Sequence, residues 1–246
     1  MPRVVASIEA RMASSRLPGK ILSDINGVPS LTRLVRRLRR CRRLDGIVLA
    51  TTTASSDDAT QAWAEAEGVT CYRGSVDDVL ERVVEAQRSM ESEIVVEVCG
   101  DTPLLDPGII DMAIESFLIN DCDVVSNTWK LTFPQGVDAQ VFRLGALEEV
   151  ARACDDAAVR EHVSLYFYEH PERYRILNLV APPRWRAPEL RFQLDYAEDQ
   201  TFINRVYALL EPEHGDDFGI EEILALLRRQ PALAEINRHC EERAPR

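Results

Sequence analysis

The stretch "VVASIEARMASSRLPGKIL", residues 4–22, opens with a buried-strand pattern and leaves it through three positive charges. Val4–Ile8 is a short apolar run rich in β-branched residues, which predicts a strand buried on both faces. Pro18-Gly19 shapes a turn, and Arg11, Arg16 and Lys20 lie in the loop around it. The loop is neither G-x-x-x-x-G-K-[ST] nor G-x-G-x-x-G, so no backbone cradle for phosphates is encoded. Side chains must do that work instead. Arg11 and Arg16 offer planar forks, Lys20 a point charge, and Ser14 and Ser15 hydroxyl donors. A first strand that ends in cations places an anionic ligand at the carboxyl edge of a parallel sheet.

Working outward, apolar runs alternate with helical patterns. Strands are predicted at Val4–Ile8, Gly46–Thr51, Thr70–Tyr72, Ile94–Val98 and Cys122–Ser126. Helices are predicted at Pro29–Arg43, Asp57–Glu67, Val76–Ser89 and Pro107–Ile119. This order means an α/β fold with a mostly parallel sheet and helices on both faces. After Asn127 the pattern changes. "TFPQGVDAQVF" reads as a turn into a strand, "REHVSLYFYEH" as an aromatic-rich helix, and "RFQLDYAEDQTF" as a short strand, an acidic turn and a helix. The reading is one domain over 1–246, with a core of 1–127 and 185–246 and an inserted arm of 128–184. In "RLVRRLRRCRR", Leu34, Val35, Leu38 and Cys41 share a helical face, so the arginines are expected on the solvated one.

The net charge of -12 argues against a general nucleic-acid binder. No apolar run reaches the roughly 18 residues of a membrane span. The N-terminus lacks a signal-peptide pattern, and the six dispersed cysteines suit a reducing cytoplasm. Lysine occurs only at positions 20 and 130, so a lysine within the opening loop is a marked choice of cation.

The carboxylates point to the same edge. "VVEVCGDTPLLDP" ends a buried strand at Gly100-Asp101, and "FQLDYAED" places Asp195 just after a second short strand. Such oxygen donors suit Mg²⁺, which shares its sphere with substrate phosphates. Asp199 reads equally as a helix N-cap. Two other clusters are set aside. "DCD", Asp121–Asp123, opens a strand and so lies at the amino edge. His162 and His170 have no third ligand for zinc, although His162, beside Arg160 and Glu161, can still touch a substrate.

Seven motifs in order, "ARMASSRLPGKIL", "ATTTASSDD", "YRGSVDDVLERV", "VCGDTPLLDP", "TFPQGVDAQVF", "REHV" and "QLDYAED", resemble the spore-coat polysaccharide branch of the CMP-sugar synthetases, relatives of the CMP-Kdo and CMP-neuraminate synthetases. The resemblance implies a Rossmann-like nucleotide-diphosphate-sugar transferase fold, use of CTP and Mg²⁺, release of pyrophosphate and a homodimer built by the arm. It implies Arg11, Ser15, Arg16 and Lys20 as triphosphate ligands, and Arg73 and Ser75 as the cytosine-side loop. Asp101 and Asp195 are implied as metal ligands. Pro134, Gly136, Asp138, Gln140, Glu161 and His162 fall where the acceptor binds. Three positions depart from the family pattern: Glu9 stands where Gln is common, Gln140 where Glu is usual, and Cys99 where CMP-Kdo synthetases carry Gln.

The expected activity is a cytoplasmic cytidylyltransferase. It joins CMP to a sugar acid, sugar phosphate or phosphonate, with Arg11, Arg16, Lys20 and Asp101 as the catalytic set. The rival enzyme, a nucleotide-sugar-dependent glycosyltransferase, needs a D-x-D at a carboxyl edge. An inactive nucleotide-binding partner is the non-enzymatic alternative, and it gives no reason for Lys20, Asp101 and Asp195 to stand together.

Overall fold

The computed structural model describes residues 2–241. Seven strands form one sheet in the order β5-β4-β1-β6-β8-β7-β9. They are β1 Val4–Glu9, β4 Gly46–Thr52, β5 Thr70–Gly74, β6 Ile94–Cys99, β7 Val124–Ser126, β8 Gln140–Arg143 and β9 Ile176–Asn178. A two-residue hairpin, β2 Asp24–Ile25 and β3 Val28–Pro29, stands apart. Its turn is Asn26-Gly27, both at positive φ, the dipeptide that favours such turns. Every pairing in the main sheet is parallel except those of β8, which runs backwards between β6 and β7.

The helices are α1 Ser30–Leu38, α2 Asp58–Glu67, α3 Val79–Ser89, α4 Pro107–Ile119, α5 Leu144–Ala153, α6 Ala157–Glu161, α7 Leu165–Glu169, α8 Ala197–His214 and α9 Ile220–Arg229. α4 matches its predicted span, with Asp106 capping it and Pro107 at its start. α3 begins three residues later than its pattern suggests. The Asp78 carboxylate accepts from Glu81 N at 2.8 Å and fixes the start there. The aromatic helix read in "REHVSLYFYEH" is two short helices, α6 and α7. The break exposes Glu161 to Leu165 along one wall of a cavity.

The division into core and arm does not describe the sheet. β8 and β9 both lie within 128–184, yet β8 is hydrogen-bonded on both sides in mid-sheet and β9 forms its edge. Val141 and Phe142 are fully buried. Leu165, Phe167 and Tyr174, whose apolarity suggested a second copy, are covered within the chain by Phe142, Leu147 and Val150.

The arginine run is also a correction. Arg33 and Arg37 are fully buried, not solvated. α8 and the loop between α8 and α9 pack over that face of α1. The Arg33 guanidinium lies 4.3 Å from the Tyr207 ring centroid, and Arg37 lies 4.3 Å from that of Phe218. Arg33 pairs with Glu211 at 2.5 Å and Asp216 at 2.9 Å, so both its planar face and its donors are satisfied.

The ends of β1 and β6 meet closely, which fixes the shape of the site above them. Gly100 N donates to Glu9 O at 2.8 Å. A Cβ on Gly100 would lie 2.8 Å from Ala10 Cβ and 2.9 Å from Glu9 O, so glycine is required by that approach.

Candidate active site

A cavity of about 680 Å³ opens at the carboxyl edge of β1 and β6. The loop after β1 and the loop after β6 form one end of it. There Lys20 Nζ donates to Asp195 Oδ1 at 2.7 Å and to Asp101 Oδ2. Arg16 reaches the same Asp195 oxygen at 2.6 Å. Arg11 lies further along the wall and pairs with Glu161 at 2.5 Å. Ser15 lines the cavity beside them. Burial pulls the Lys20 ammonium down, but Asp101 and Asp195 outweigh it and hold the group above its ordinary value. Burial likewise raises Asp195, yet Lys20, Arg16 and Arg191 bring it below the usual carboxylate range. Lys20 is a cation and Asp195 an anion at neutral pH.

Asp195 is fully buried and built in from behind. Arg191 donates to its other oxygen at 2.5 Å and to Asp199 at 3.2 Å. Asp199 Oδ2 accepts from the backbone N of Asp195 and Tyr196, at 2.9 and 3.0 Å, and so caps α8. Asn237 donates to Asp199 at 2.8 Å. Asp199 therefore both caps the helix and anchors the arginine that orients Asp195. The predicted strand at "RFQLD" is reduced to one bridge, Gln135 to Arg191. Gly136 makes that bridge possible. Its φ is +89°, and a Cβ there would lie 2.6 Å from Gln193 N. Gly136→Ala should destabilise by about 2–4 kcal/mol, through both backbone strain and overpacking. Chemical denaturation checks this, and an unchanged midpoint would refute it.

The oxygens of Asp101 and Asp195 converge on the point held by Lys20 Nζ. Two carboxylate oxygens facing one point fit a hard divalent cation such as Mg²⁺, with open positions left for phosphate and water.

The other end of the cavity is acidic. Strand register explains it. On β1 and β6, Ser7 pairs with Glu97 and Glu9 with Cys99, so these side chains share one face of the sheet. Gln140 on β8 pairs with Glu97 on one side and Ser126 on the other. Gln140 Nε2 donates to Glu97 Oε2 at 2.6 Å, and Tyr168 OH donates to Gln140 Oε1 at 2.7 Å. Ser126 Oγ is 2.6 Å from Tyr168 OH. Burial, then Glu97, raises the Glu9 carboxyl well above its ordinary value, and burial raises Glu97 too. Burial pushes the Tyr168 hydroxyl up to about 12.

This has a stability consequence. Because the folded value of Glu9 is raised, the unfolded chain loses its proton first as pH rises. Glu9 therefore costs stability above the unfolded value of about 4.3, and the cost is absent well below it. Glu9→Gln removes the charge and supplies a donor to Glu97. The variant should melt higher than the parent at about pH 7.5 and equally at about pH 4. A melting shift of the same size at both values would refute the assignment.

The predicted residues divide as follows. Arg11, Ser15, Arg16, Lys20, Asp101, Asp138, Gln140, Glu161, His162 and Asp195 line the cavity together. Pro134 and Gly136 are buried in the loop behind it. Arg73 and Ser75 are not among the residues that line the cavity. Arg73 donates to Thr52 O, Ala54 O and Gln61, each at 2.8 Å, and pairs with Asp58 at 2.7 Å; it clamps the loop after β4. Ser75 Oγ accepts from Asp78 N at 3.1 Å, at the entry to α3. Asp121 and Asp123 pair with Arg175 at the amino end of β7, away from the cavity. Sequence reading missed Arg82 and Glu97. Arg82 sits on the apolar face of α3, one turn from Val79, and its burial there was the available signal. It reaches into the cavity and donates to Ser75 O at 2.6 Å.

A reversed strand within a parallel sheet, and three cations meeting two carboxylates at its carboxyl edge, define a Rossmann-like nucleotidyltransferase. The family model described as Cytidylyltransferase matches residues 5–239, and the chain belongs to that family. It is 32% identical over 240 residues to the spore coat polysaccharide biosynthesis protein SpsF of Bacillus subtilis, covering 95% of this chain and 98% of that one. It is 31% identical over 176 residues to a 3-deoxy-manno-octulosonate cytidylyltransferase of Chlorobium phaeobacteroides, covering 70% and 66%. A solved cytidylyltransferase from Leptospira borgpetersenii superimposes with a TM-score of 0.91 at 26% identity, covering 99% of this chain and 100% of that one. A CMP:2-keto-3-deoxy-manno-octonic acid synthetase solved with CTP shares the fold, with a TM-score of 0.63 at 18% identity over 84% and 99% of the two chains.

Proposed function

We propose that this enzyme transfers the cytidylyl group of CTP to a small acceptor bearing a sugar acid, sugar phosphate or phosphonate group, releasing pyrophosphate. The observation that supports this most is Lys20 held between Asp101 and Asp195, with Arg16 on the same oxygen, in a cavity with room for a second substrate. The triphosphate would lie over Arg11, Ser15, Arg16 and Lys20, each of which exchanges a carboxylate or solvent for phosphate oxygen. The acceptor oxygen attacks the α-phosphorus, a new P–O bond forms, and the α–β bridging oxygen leaves with pyrophosphate. Positioning and charge neutralisation are nearly the whole catalytic task in such transfers. Mg²⁺, held by Asp101 and Asp195, would neutralise charge on the departing phosphates. A phosphate or phosphonate acceptor arrives ionised, whereas a sugar hydroxyl must lose its proton.

Pyrophosphate release tests this reading. CTP with Mg²⁺ and a panel of the three acceptor classes should release it, and ATP, GTP and UTP should do so far less. Binding of CTP without turnover on any class would favour the inactive-partner alternative. A glycosyltransferase is disfavoured by the position of Asp121 and Asp123 at the amino edge.

A homodimer through residues 128–184 is the proposed assembly. Its support is β9, an edge strand of the sheet, with Val180 60% and Leu131 38% exposed in the same segment. Light scattering at micromolar concentration should give twice the chain mass, and a monomeric mass would end the proposal.

A further inference from the structure

The acceptor end of the cavity carries the wrong sign for a purely anionic acceptor. Glu9, Glu97, Asp138 and Glu161 all line it. Glu161 is matched by Arg11. Glu9 and Glu97 are not matched by any cation: among the described residues neither makes an ion pair within 4.0 Å. Glu97 is 4% exposed and accepts hydrogen bonds from the neutral Gln140 amide and from the Glu9 carboxyl. Arg82 acts on Glu9 from α3, but its donors go to Ala50 O and Ser75 O. Next to this pair, on the same sheet face, Ser7 is fully buried and its hydroxyl has no partner. A buried carboxyl beside a half-buried one is costly unless a cation or a shared proton joins them. Burial raises both groups, and the Glu97 charge adds to the rise at Glu9, as expected of a carboxyl pair that shares a proton where a counter-ion would otherwise sit.

We infer that the acceptor of this enzyme carries a protonated amine, which docks against Glu9 and Glu97 while its nucleophilic oxygen lies toward Lys20 and Asp101. The inference rests on the cytidylyltransferase reading and narrows its acceptor. An ammonium has three donors and one positive charge, which suits two carboxyls and a neighbouring amide oxygen. Glu97 and Asp101 are four residues apart on one chain segment, so their Cα atoms are separated by at most about 13 Å. The Cys99 thiol is the third group of the cluster.

Calorimetric titration with the α,β-methylene analogue of CTP bound, so that no transfer occurs, tests the inference. The probes are matched pairs: 2-aminoethylphosphonate against propylphosphonate, and glucosamine 6-phosphate against glucose 6-phosphate. In at least one pair the amine should bind about tenfold tighter or more, as a charge-assisted hydrogen bond would give. Glu97→Gln and Glu9→Gln should abolish that preference while still binding the nucleotide analogue. Equal affinity within both pairs, no binding of any probe, or tighter binding of an amine-free sugar acid would overturn the inference. So would stabilisation by Zn²⁺ or Mg²⁺ alone that Glu97→Gln removes, because the pair would then be a metal site. Failure of the nucleotide analogue to bind the parent protein would instead strike the cytidylyltransferase reading itself.

Discussion

Asp101→Asn should lower turnover by about a hundredfold or more, a loss of roughly 2.7 kcal/mol or above in transition-state stabilisation, while CTP affinity changes much less. The asymmetry follows from what surrounds Asp101. Its partners are Lys20 and, at 3.5 Å, the Gln193 amide. Asparagine keeps the size and leaves Arg11, Arg16 and Lys20 in place to hold a ground-state triphosphate. What disappears is one of the two charges facing the point where a divalent cation fits. Charge that develops only as pyrophosphate departs then goes uncompensated, and interactions specific to the transition state appear in kcat. A second readout is independent of turnover. Mg²⁺ alone should raise the melting temperature of the parent and not of the variant. Near-normal turnover at saturating CTP and Mg²⁺ would make Asp101 a turn residue and remove this edge of the sheet as the site.

Lys20, Asp101 and Asp195 were legible because each lies in a segment that follows a strand-like run, the two aspartates directly and Lys20 within the long loop, and local pattern places such segments at a carboxyl edge. Parallel pairing of β1 with β6 brings Lys20 to Asp101, and Asp195 joins them from the segment bridged to Gln135. Arg73, read as lying just past a strand, is inside β5 and does not line the cavity. Its strand β5 is the sheet edge, so its side chain has the loop 52–58 beside it and turns there for four polar partners. Sequence places a residue on an edge but does not say which neighbour its side chain finds.

Arg33 and Arg37 failed for a longer-range reason. Their helix face looked solvated because the groups that cover it, Tyr207, Glu211 and Phe218, come from 170 or more positions away. Local amphipathicity cannot see such a cover. β8 was read as a strand, but its place and direction in the sheet were hidden in the same way. Its four residues alternate too briefly to show that they reverse into the middle of a parallel sheet, and that reversal brings Gln140 beside Glu97. The Gln140 contact with Glu97 thus depends on a pairing no local pattern encodes. Glu97 itself left a trace, a single charge in the otherwise apolar run "IVVEVC".

Lys20→Ala should differ from Asp101→Asn in kind, not only in degree. Lys20 faces phosphate both before and during transfer, so its loss should weaken CTP binding by about tenfold or more and lower turnover at saturation as well. A hydrogen bond to a charged group is worth roughly 1.5–3 kcal/mol. In the ligand-free protein the same nitrogen occupies the point between Asp101 and Asp195. Removing it leaves Asp101, only 9% exposed, without a cation, whereas Asp195 keeps Arg16 and Arg191. The uncompensated carboxylate should lower the melting temperature in the absence of divalent ions. It should also make the pair of oxygens more available, so Mg²⁺ alone should stabilise Lys20→Ala more than it stabilises the parent. The two substitutions therefore move the Mg²⁺-only melting shift in opposite directions while both depress pyrophosphate release. That opposition separates a lysine that competes with the cation from one that merely props the loop. If Mg²⁺ stabilised Lys20→Ala no more than the parent, the point between Asp101 and Asp195 would not be where the cation binds, and both carboxylates would revert to counter-ions of Lys20 and Arg16.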